Sequence, residues 1–127
     1  QYCVACVDGP AQYAALEALK GPQEFVREMV SEFDRRRKLL HSRLNEIEGF
    51  HCGLPKGAFY IFANIEDFKT PSEKFAELLI SQGRVITVPG SAFGKRGEGY
   101  LRFSYATAYD KIEEALNRIA KVAKVAR

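Results

Sequence analysis

The 127-residue sequence lacks two features that would direct it to a membrane or to nucleic acid. No apolar run approaches the ~20 residues that a membrane-spanning helix needs. Charge of one sign is also scarce, because 19 basic and 16 acidic residues leave a net charge of only +3. Nucleic-acid-binding domains concentrate basic residues on one face, so nucleic acid is not an expected partner. Residues 1–10 have no basic segment followed by an apolar stretch, as a secretory signal would have, so a cytoplasmic location is the default expectation.

Cysteine is too sparse for a disulfide framework. The three cysteines, Cys3, Cys6 and Cys52, are an odd number with no repeating spacing, which favours a reducing compartment. Cys3 and Cys6 form a single C-x-x-C pair, and a zinc site would need further ligands. Only Cys52, His41 and His51 could supply them. We therefore interpret the spacing as accidental and predict no metal site.

Glycine and proline mark where the predicted elements begin and end. Gly9 and Pro10 precede a first helix and Gly21 follows it, in keeping with the usual positions of these residues at helix ends. Pro22 begins a longer helix, which Gly49 ends. Helices are predicted at residues 10–20, 22–48, 71–82 and 108–124, strands at 58–64, 85–88 and 100–105, and a glycine-rich loop at 90–99.

Local patterns add detail to the helices. Residues 70–73 (TPSE) and 107–110 (TAYD) are typical of helix N-caps. On the long helix, apolar residues recur at spacings of three, four and seven, which predicts one buried stripe. The stripe comprises Val26, Met29, Val30, Phe33, Leu40, Leu44 and Ile47.

The order of these elements predicts an α/β (α+β) fold. A long N-terminal helix is followed by the sequence β-α-β-β-α, with a small three-stranded sheet. A sheet of three strands must bury one face against other elements, so we expect the helices to cover one face and to leave the other open.

The third predicted strand places an arginine on that open face. Because side chains alternate along a strand, Leu101 and Phe103 would pack under the helices while Arg102 points the other way. A guanidinium can bind a carboxylate through two parallel hydrogen bonds. An arginine on an exposed sheet face more often only keeps that face hydrated, so the pattern alone leaves both interpretations open.

Five segments in this order resemble one enzyme family. They are residues 9–19 (GPAQYAALEAL), 35–37 (RRR), 55–60 (PKGAFY), 88–94 (VPGSAFG) and 97–106 (GEGYLRFSYA). Together they resemble the C-terminal part of class I aminotransferases, the aspartate and aromatic aminotransferase group of fold-type I pyridoxal-phosphate enzymes. The similarity extends over essentially the whole chain.

The resemblance implies a role for a few residues. Arg102 matches the family's arginine for the substrate α-carboxylate. Gly57, Phe59 and Gly90 match segments at the border of the active site, where glycine would permit tight backbone paths. Amino acids and 2-oxo acids are the implied substrates. No catalytic residue, cofactor ligand or metal ligand is implied within this chain.

The resemblance also implies that much of the machinery lies elsewhere. None of the nine lysines matches the family's Schiff-base lysine, and pyridoxal 5'-phosphate would be bound by a large domain upstream of Gln1. Residues 1–20 would be the edge of that domain and residues 21–127 the C-terminal small domain. The intact protein would be a homodimer, and this fragment alone would be inactive.

Three alternatives remain open at this point. The first is a non-enzymatic or regulatory module that binds an acidic ligand on the open sheet face. The second is an RNA-binding domain that uses Tyr60, Phe62 and Tyr100 for stacking, which the near-neutral charge disfavours. The third is a pyridoxal-phosphate lyase or synthase of the same fold. The identity of the amino acid substrate cannot be inferred from these residues.

Overall fold

The computed structural model describes residues 6–126, which divide into two compact units between Ser31 and Glu32. Among these residues no helix is long and apolar enough to cross a membrane. Short 3-10 segments lie at Glu66–Phe68, Gly90–Phe93 and Lys95–Gly97. The helices are α1 (Gly9–Lys20), α2 (Glu24–Glu46), α3 (Ser72–Gly83) and α4 (Tyr109–Val125), and the strands are β1 (Tyr60–Asn64), β2 (Val88–Pro89) and β3 (Tyr100–Ser104).

Helix α1 begins as its sequence predicts. The Asp8 carboxylate accepts a hydrogen bond of 2.9 Å from the Ala11 N–H, which satisfies one of the free donors at the helix N-terminus. Gly21 ends the helix in an extended conformation, and a Cβ there would lie 2.7 Å from the Glu17 carbonyl oxygen. None of the α1 residues is buried.

The apolar stripe predicted for α2 is only partly buried. Leu40 and Leu44 are in the core, and Phe33 and Ile47 pack against it. The prediction is wrong for the N-terminal members, because Val26, Met29 and Val30 remain 42%, 41% and 58% exposed. Periodicity identifies an apolar face but not what covers it.

The three strands form an antiparallel sheet in the order β1-β3-β2. Phe62 of β1 and Val88 of β2 lie opposite Arg102, one on each side of β3. The strand predicted at residues 85–88 is shorter and shifted towards the C-terminus. Arg84 ends α3 with a φ of 52°, and the Val85 N–H donates to the Leu79 carbonyl oxygen at 3.0 Å. The backbone that would extend β2 is thus used to close the helix.

One face of the sheet is covered and the other is open, as predicted. The covered face carries Ile61 and Ala63 of β1 and Leu101 and Phe103 of β3, all 0–4% exposed. These side chains form one core with residues of α2, α3 and α4. We define the open sheet face by the β1 and β3 residues that point the other way, Tyr60, Phe62, Tyr100, Arg102 and Ser104, all at least partly exposed.

Two predicted helix caps are not formed. The Thr70 hydroxyl donates to the Phe68 carbonyl oxygen at 3.1 Å instead of capping α3. Pro71 is the N-cap of α3 and not its first helical residue, and Ala108 is the N-cap of α4. Neither side chain makes a capping hydrogen bond. At α3 the capping acceptor comes from Glu98, 26 residues away, a partner that local sequence patterns cannot indicate.

Candidate functional site

Arg102 lies at the centre of the open sheet face. Its neighbours Leu101 and Phe103 are buried at 0% and 4% exposure, whereas Arg102 itself is partly exposed. The predicted alternation along β3 is therefore confirmed. Since β3 is the central strand, backbone pairing on both sides fixes the Arg102 Cα, and a side chain on a paired strand is held more precisely than one on a loop.

The Arg102 guanidinium contacts aromatic rings and no carboxylate. Its Cζ lies over the Tyr60 ring, 4.2 Å from the centroid, and over the Phe93 ring, 4.8 Å from the centroid. Within residues 6–126 the guanidinium makes no hydrogen bond or ion pair. Arg37 is a contrast, because its Nε donates to Asp34 at 3.0 Å and its Nη1 to the Pro55 carbonyl oxygen at 2.7 Å. The donors of Arg102 are consequently free to bind an anion.

Further aromatic rings extend from the two rings that this guanidinium contacts. The Phe62 ring lies 5.3 Å from the Phe93 ring and 6.0 Å from the Tyr100 ring, while the Phe59 ring lies 4.4 Å from that of Tyr60. Aromatic surroundings cannot replace the hydrogen bonds that water gives a cation, and they lower the local dielectric. The arrangement therefore suits a small anion with two acceptor oxygens, such as a carboxylate.

The loop that carries Phe93 depends on two glycines. A Cβ on Gly90 would lie 1.8 Å from the Gly97 carbonyl oxygen, and a Cβ on Gly97 would lie 2.0 Å from the Gly90 carbonyl oxygen. No other residue type fits such a backbone approach. The tight path predicted at Gly90 is present, and it holds the two ends of the segment 90–97 together.

The same loop is fastened to α3 by Glu98. The Glu98 carboxylate accepts from the Ser72 N–H at 2.8 Å and from the Ser72 hydroxyl at 2.9 Å. These bonds, from the backbone N–H first and then the hydroxyl, hold the pKa of Glu98 below its usual range. The Ser91 hydroxyl adds a bond of 3.2 Å to Glu73. The sequence did not indicate that Glu98 holds this loop, because its partner Ser72 is 26 residues away and no local pattern connects the two.

The segment around Gly57 differs from expectation. A Cβ on Gly57 would meet nothing within 4 Å, and its φ is not in the left-handed region, so no tight path requires glycine there. The strained residue is its neighbour Ala58, with a φ of 57°. Phe59, next in the chain, is 41% exposed beside Tyr60.

Tyr105 holds this strained backbone. Its hydroxyl donates to the Ala58 carbonyl oxygen at 2.8 Å, and its N–H donates to the Phe59 carbonyl oxygen at 3.0 Å. Burial raises the pKa of the Tyr105 phenol, although the nearby Arg37 cation lowers it somewhat and the Asp34 carboxylate adds to the rise. The hydroxyl therefore stays protonated as a donor. Like Glu98, this contact was not evident in the sequence.

Neither a sheltered lysine nor a cluster of metal-ligating side chains is found among residues 6–126. A lysine that binds an aldehyde cofactor needs a sheltered position beside groups that hold the cofactor, and all nine lysines are exposed. Within residues 6–126 no group of three or more His, Cys, Asp or Glu residues could hold a metal ion. Cys3, one half of the C-x-x-C pair, lies outside the described residues, and Cys6 is exposed.

Comparisons with known proteins agree on the family. The family description "Aminotransferase class I and II" matches residues 1–119. An aspartate aminotransferase of Pyrococcus abyssi is 52% identical over 123 residues, which is 95% of this chain and 31% of that protein. An aromatic-amino-acid aminotransferase 2 of Thermococcus litoralis is 50% identical over 125 residues, 97% of this chain and 32% of that protein.

Solved structures give the same result. An aromatic aminotransferase from Pyrococcus horikoshii is similar with a TM-score of 0.86 and 56% identity, over 90% of this chain and 31% of that one. An alanine aminotransferase from Pyrococcus furiosus has a TM-score of 0.87 and 35% identity, over 94% of this chain and 31% of that one. The chain spans about a third of the length of the relatives it matches. It belongs to the class I and II aminotransferase family.

Proposed function

We propose that this chain is the carboxylate-binding small domain of an aminotransferase, which transfers an amino group between an amino acid and a 2-oxo acid. Arg102 binds the α-carboxylate of either substrate. Family membership supports the reaction class, and the names of the relatives refer to aspartate, aromatic and alanine substrates. The amino acids in these names have different side chains but the same α-carboxylate, which is the group that one fixed arginine would recognise.

The proposal rests mainly on the Arg102 guanidinium on the open sheet face, which makes no hydrogen bond or ion pair within residues 6–126. Arg102 is fixed by the central strand, lies among aromatic rings and donates to no described residue. A charge-assisted bond to a carboxylate contributes roughly 1.5–3 kcal/mol. The two ring faces attract the guanidinium without using its N–H donors, so those donors stay available to a carboxylate.

Arg102 acts in this proposal by orientation. Two parallel hydrogen bonds fix the plane of the carboxylate and so the direction of the neighbouring α C–H bond. Holding a reacting bond in one direction removes rotational freedom that the transition state would otherwise have to lose. Pyridoxal phosphate, when bound by the rest of the protein, would supply the electron sink for the carbanion.

The remainder of the proposal concerns the rest of the protein. We assign residues 1–20 to the edge of a large cofactor-binding domain and residues 21–127 to the small domain. The absence of any buried residue in α1 supports this division. The intact enzyme would be a homodimer, and the chain alone would not transaminate.

Kinetics of two variants in the full-length protein test the role of Arg102. Arg102→Ala should lower kcat/KM for amino acids by at least about 10- to 100-fold, the equivalent of one of its two charge-assisted bonds, and leave the cofactor absorbance unchanged. Arg102→Lys should recover little, because an ammonium cannot form the two parallel bonds. The control is Arg84→Lys, an exposed arginine at the end of α3, which should match the unaltered protein. Full turnover in both Arg102 variants would overturn the proposal.

A further inference from the structure

We propose that Tyr60 and Phe93 are positioning residues, which hold the Arg102 guanidinium in the orientation that binds the carboxylate. The inference rests on the proposed function of Arg102. It goes further by assigning a role in substrate binding to two rings that would not themselves touch the carboxylate. The observation is that the Arg102 Cζ lies over both rings, at 4.2 Å and 4.8 Å from their centroids.

The physical reason is the freedom of the arginine side chain. A guanidinium on a long side chain samples many rotamers, and ordering such a side chain on binding costs conformational entropy. A ring face attracts the cation through its quadrupole without using any N–H donor. The two rings therefore restrict the guanidinium before substrate arrives and leave its donors available, whereas a carboxylate partner would occupy them.

The two rings reach Arg102 by different routes. Tyr60 is on β1, two residues before Phe62, which lies opposite Arg102, so the sheet register places its ring diagonally next to Arg102. Phe93 is on the loop after β2. Its position depends on the Gly90–Gly97 approach and on the bonds from Ser72 to Glu98.

Both rings are partly accessible, which allows clean substitutions. Phe93 is 49% exposed, and Tyr60 is partly exposed with no hydrogen bond from its hydroxyl within the described part of the chain. Replacing either ring with leucine retains apolar contact and removes the quadrupole. Tyr60→Phe and Phe93→Tyr keep the ring and serve as conservative variants.

The test compares an amino acid substrate with its carboxamide as competing ligands in the full-length protein. Tyr60→Leu and Phe93→Leu should each raise KM for the amino acid about three- to tenfold, with a smaller change in kcat. Affinity for the carboxamide, which has no charge for Arg102 to bind, should stay the same. Tyr60→Phe and Phe93→Tyr should restore the original KM.

The matched control is Tyr109→Leu. Its ring centroid lies 3.9 Å from the Arg35 Cζ. This is also an arginine–ring pair, but its members are on α2 and α4, helices that pack on the covered face of the sheet. This variant should leave KM unchanged. If Arg102→Lys raises KM but Tyr60→Leu and Phe93→Leu do not, the positioning role is overturned and the proposed function of Arg102 still holds. Equal losses for the amino acid and the carboxamide also overturn it, because they indicate a general packing defect. If Arg102→Lys has no effect either, the proposed function itself fails.

Discussion

Replacing Gly90 with alanine should disrupt the loop beside Arg102. A Cβ at this position would lie 1.8 Å from the Gly97 carbonyl oxygen, which is 1.6 Å short of the 3.4 Å at which ordinary van der Waals contact begins. The next nearest atoms, the Gly97 carbonyl carbon and the Tyr100 carbonyl oxygen, are both at 2.8 Å. All three atoms belong to backbone, so no side chain can rotate away, and the two segments have to separate.

The expected loss is large for a single methyl group. Overpacking typically costs 1–3 kcal/mol, and a clash with three backbone atoms should reach at least about 3 kcal/mol. For a domain of this size that corresponds to a decrease in Tm of roughly 10–15 °C. Because Phe93 is on the same loop, KM for the amino acid should rise as well.

Thermal unfolding of the purified protein, followed by circular dichroism, measures the effect. The matched control is Gly53→Ala, where a Cβ would meet nothing within 4 Å and φ is not in the left-handed region. That change should be neutral or stabilise the protein by up to about 1 kcal/mol, since alanine restricts the unfolded chain. A Gly90→Ala protein that unfolds at the same temperature as Gly53→Ala would refute the close approach of the two glycines.

Two further predictions concern contacts that support the site. Tyr105→Phe removes the 2.8 Å bond to the Ala58 carbonyl oxygen, and the free energy of unfolding in urea should fall by about 1–2 kcal/mol; an unchanged unfolding midpoint would argue against this bond. Because hydrogen bonds lower the pKa of Glu98 in the folded state, the ionised carboxylate stabilises the protein above the ordinary glutamate pKa. This contribution is lost as the pH falls through the lowered value. Acid titration of stability should therefore be shallower in Glu98→Gln than in Glu77→Gln, a change at an exposed α3 residue, and parallel curves would contradict the assignment.

The sequence predicted the parts of this structure that depend on local periodicity. The alternation of Leu101, Arg102 and Phe103 followed from the period of a strand. The order of helices and strands followed from glycine and proline positions, and the family followed from five motifs. In each case the information lies within a few neighbouring residues.

Contacts between distant residues could not be predicted in the same way. The Glu98 carboxylate caps α3 from 26 residues away, and it displaces the local cap expected from Thr70. The contact of Phe93 with Arg102 requires the path of the loop, which depends on the approach of Gly90 to Gly97. The strand predicted at residues 85–88 failed for a related reason, because its first N–H closes α3.

The same limit applies to the apolar stripe of α2. The spacing of Val26, Met29 and Val30 is that of a buried helix face, yet these residues are exposed in this chain. A pattern of apolar residues contains no information about the surface that covers it. Their exposure is consistent with our proposal that a further domain belongs to the intact protein.

The most direct measurement is a crystal structure of the full-length protein with an unreactive amino acid analogue that keeps the α-carboxylate. We expect two parallel hydrogen bonds of about 2.7–2.9 Å from the Arg102 guanidinium to the carboxylate oxygens, with the guanidinium still over Tyr60 and Phe93. A bound analogue whose carboxylate is held by other residues, with Arg102 turned to solvent, would contradict it.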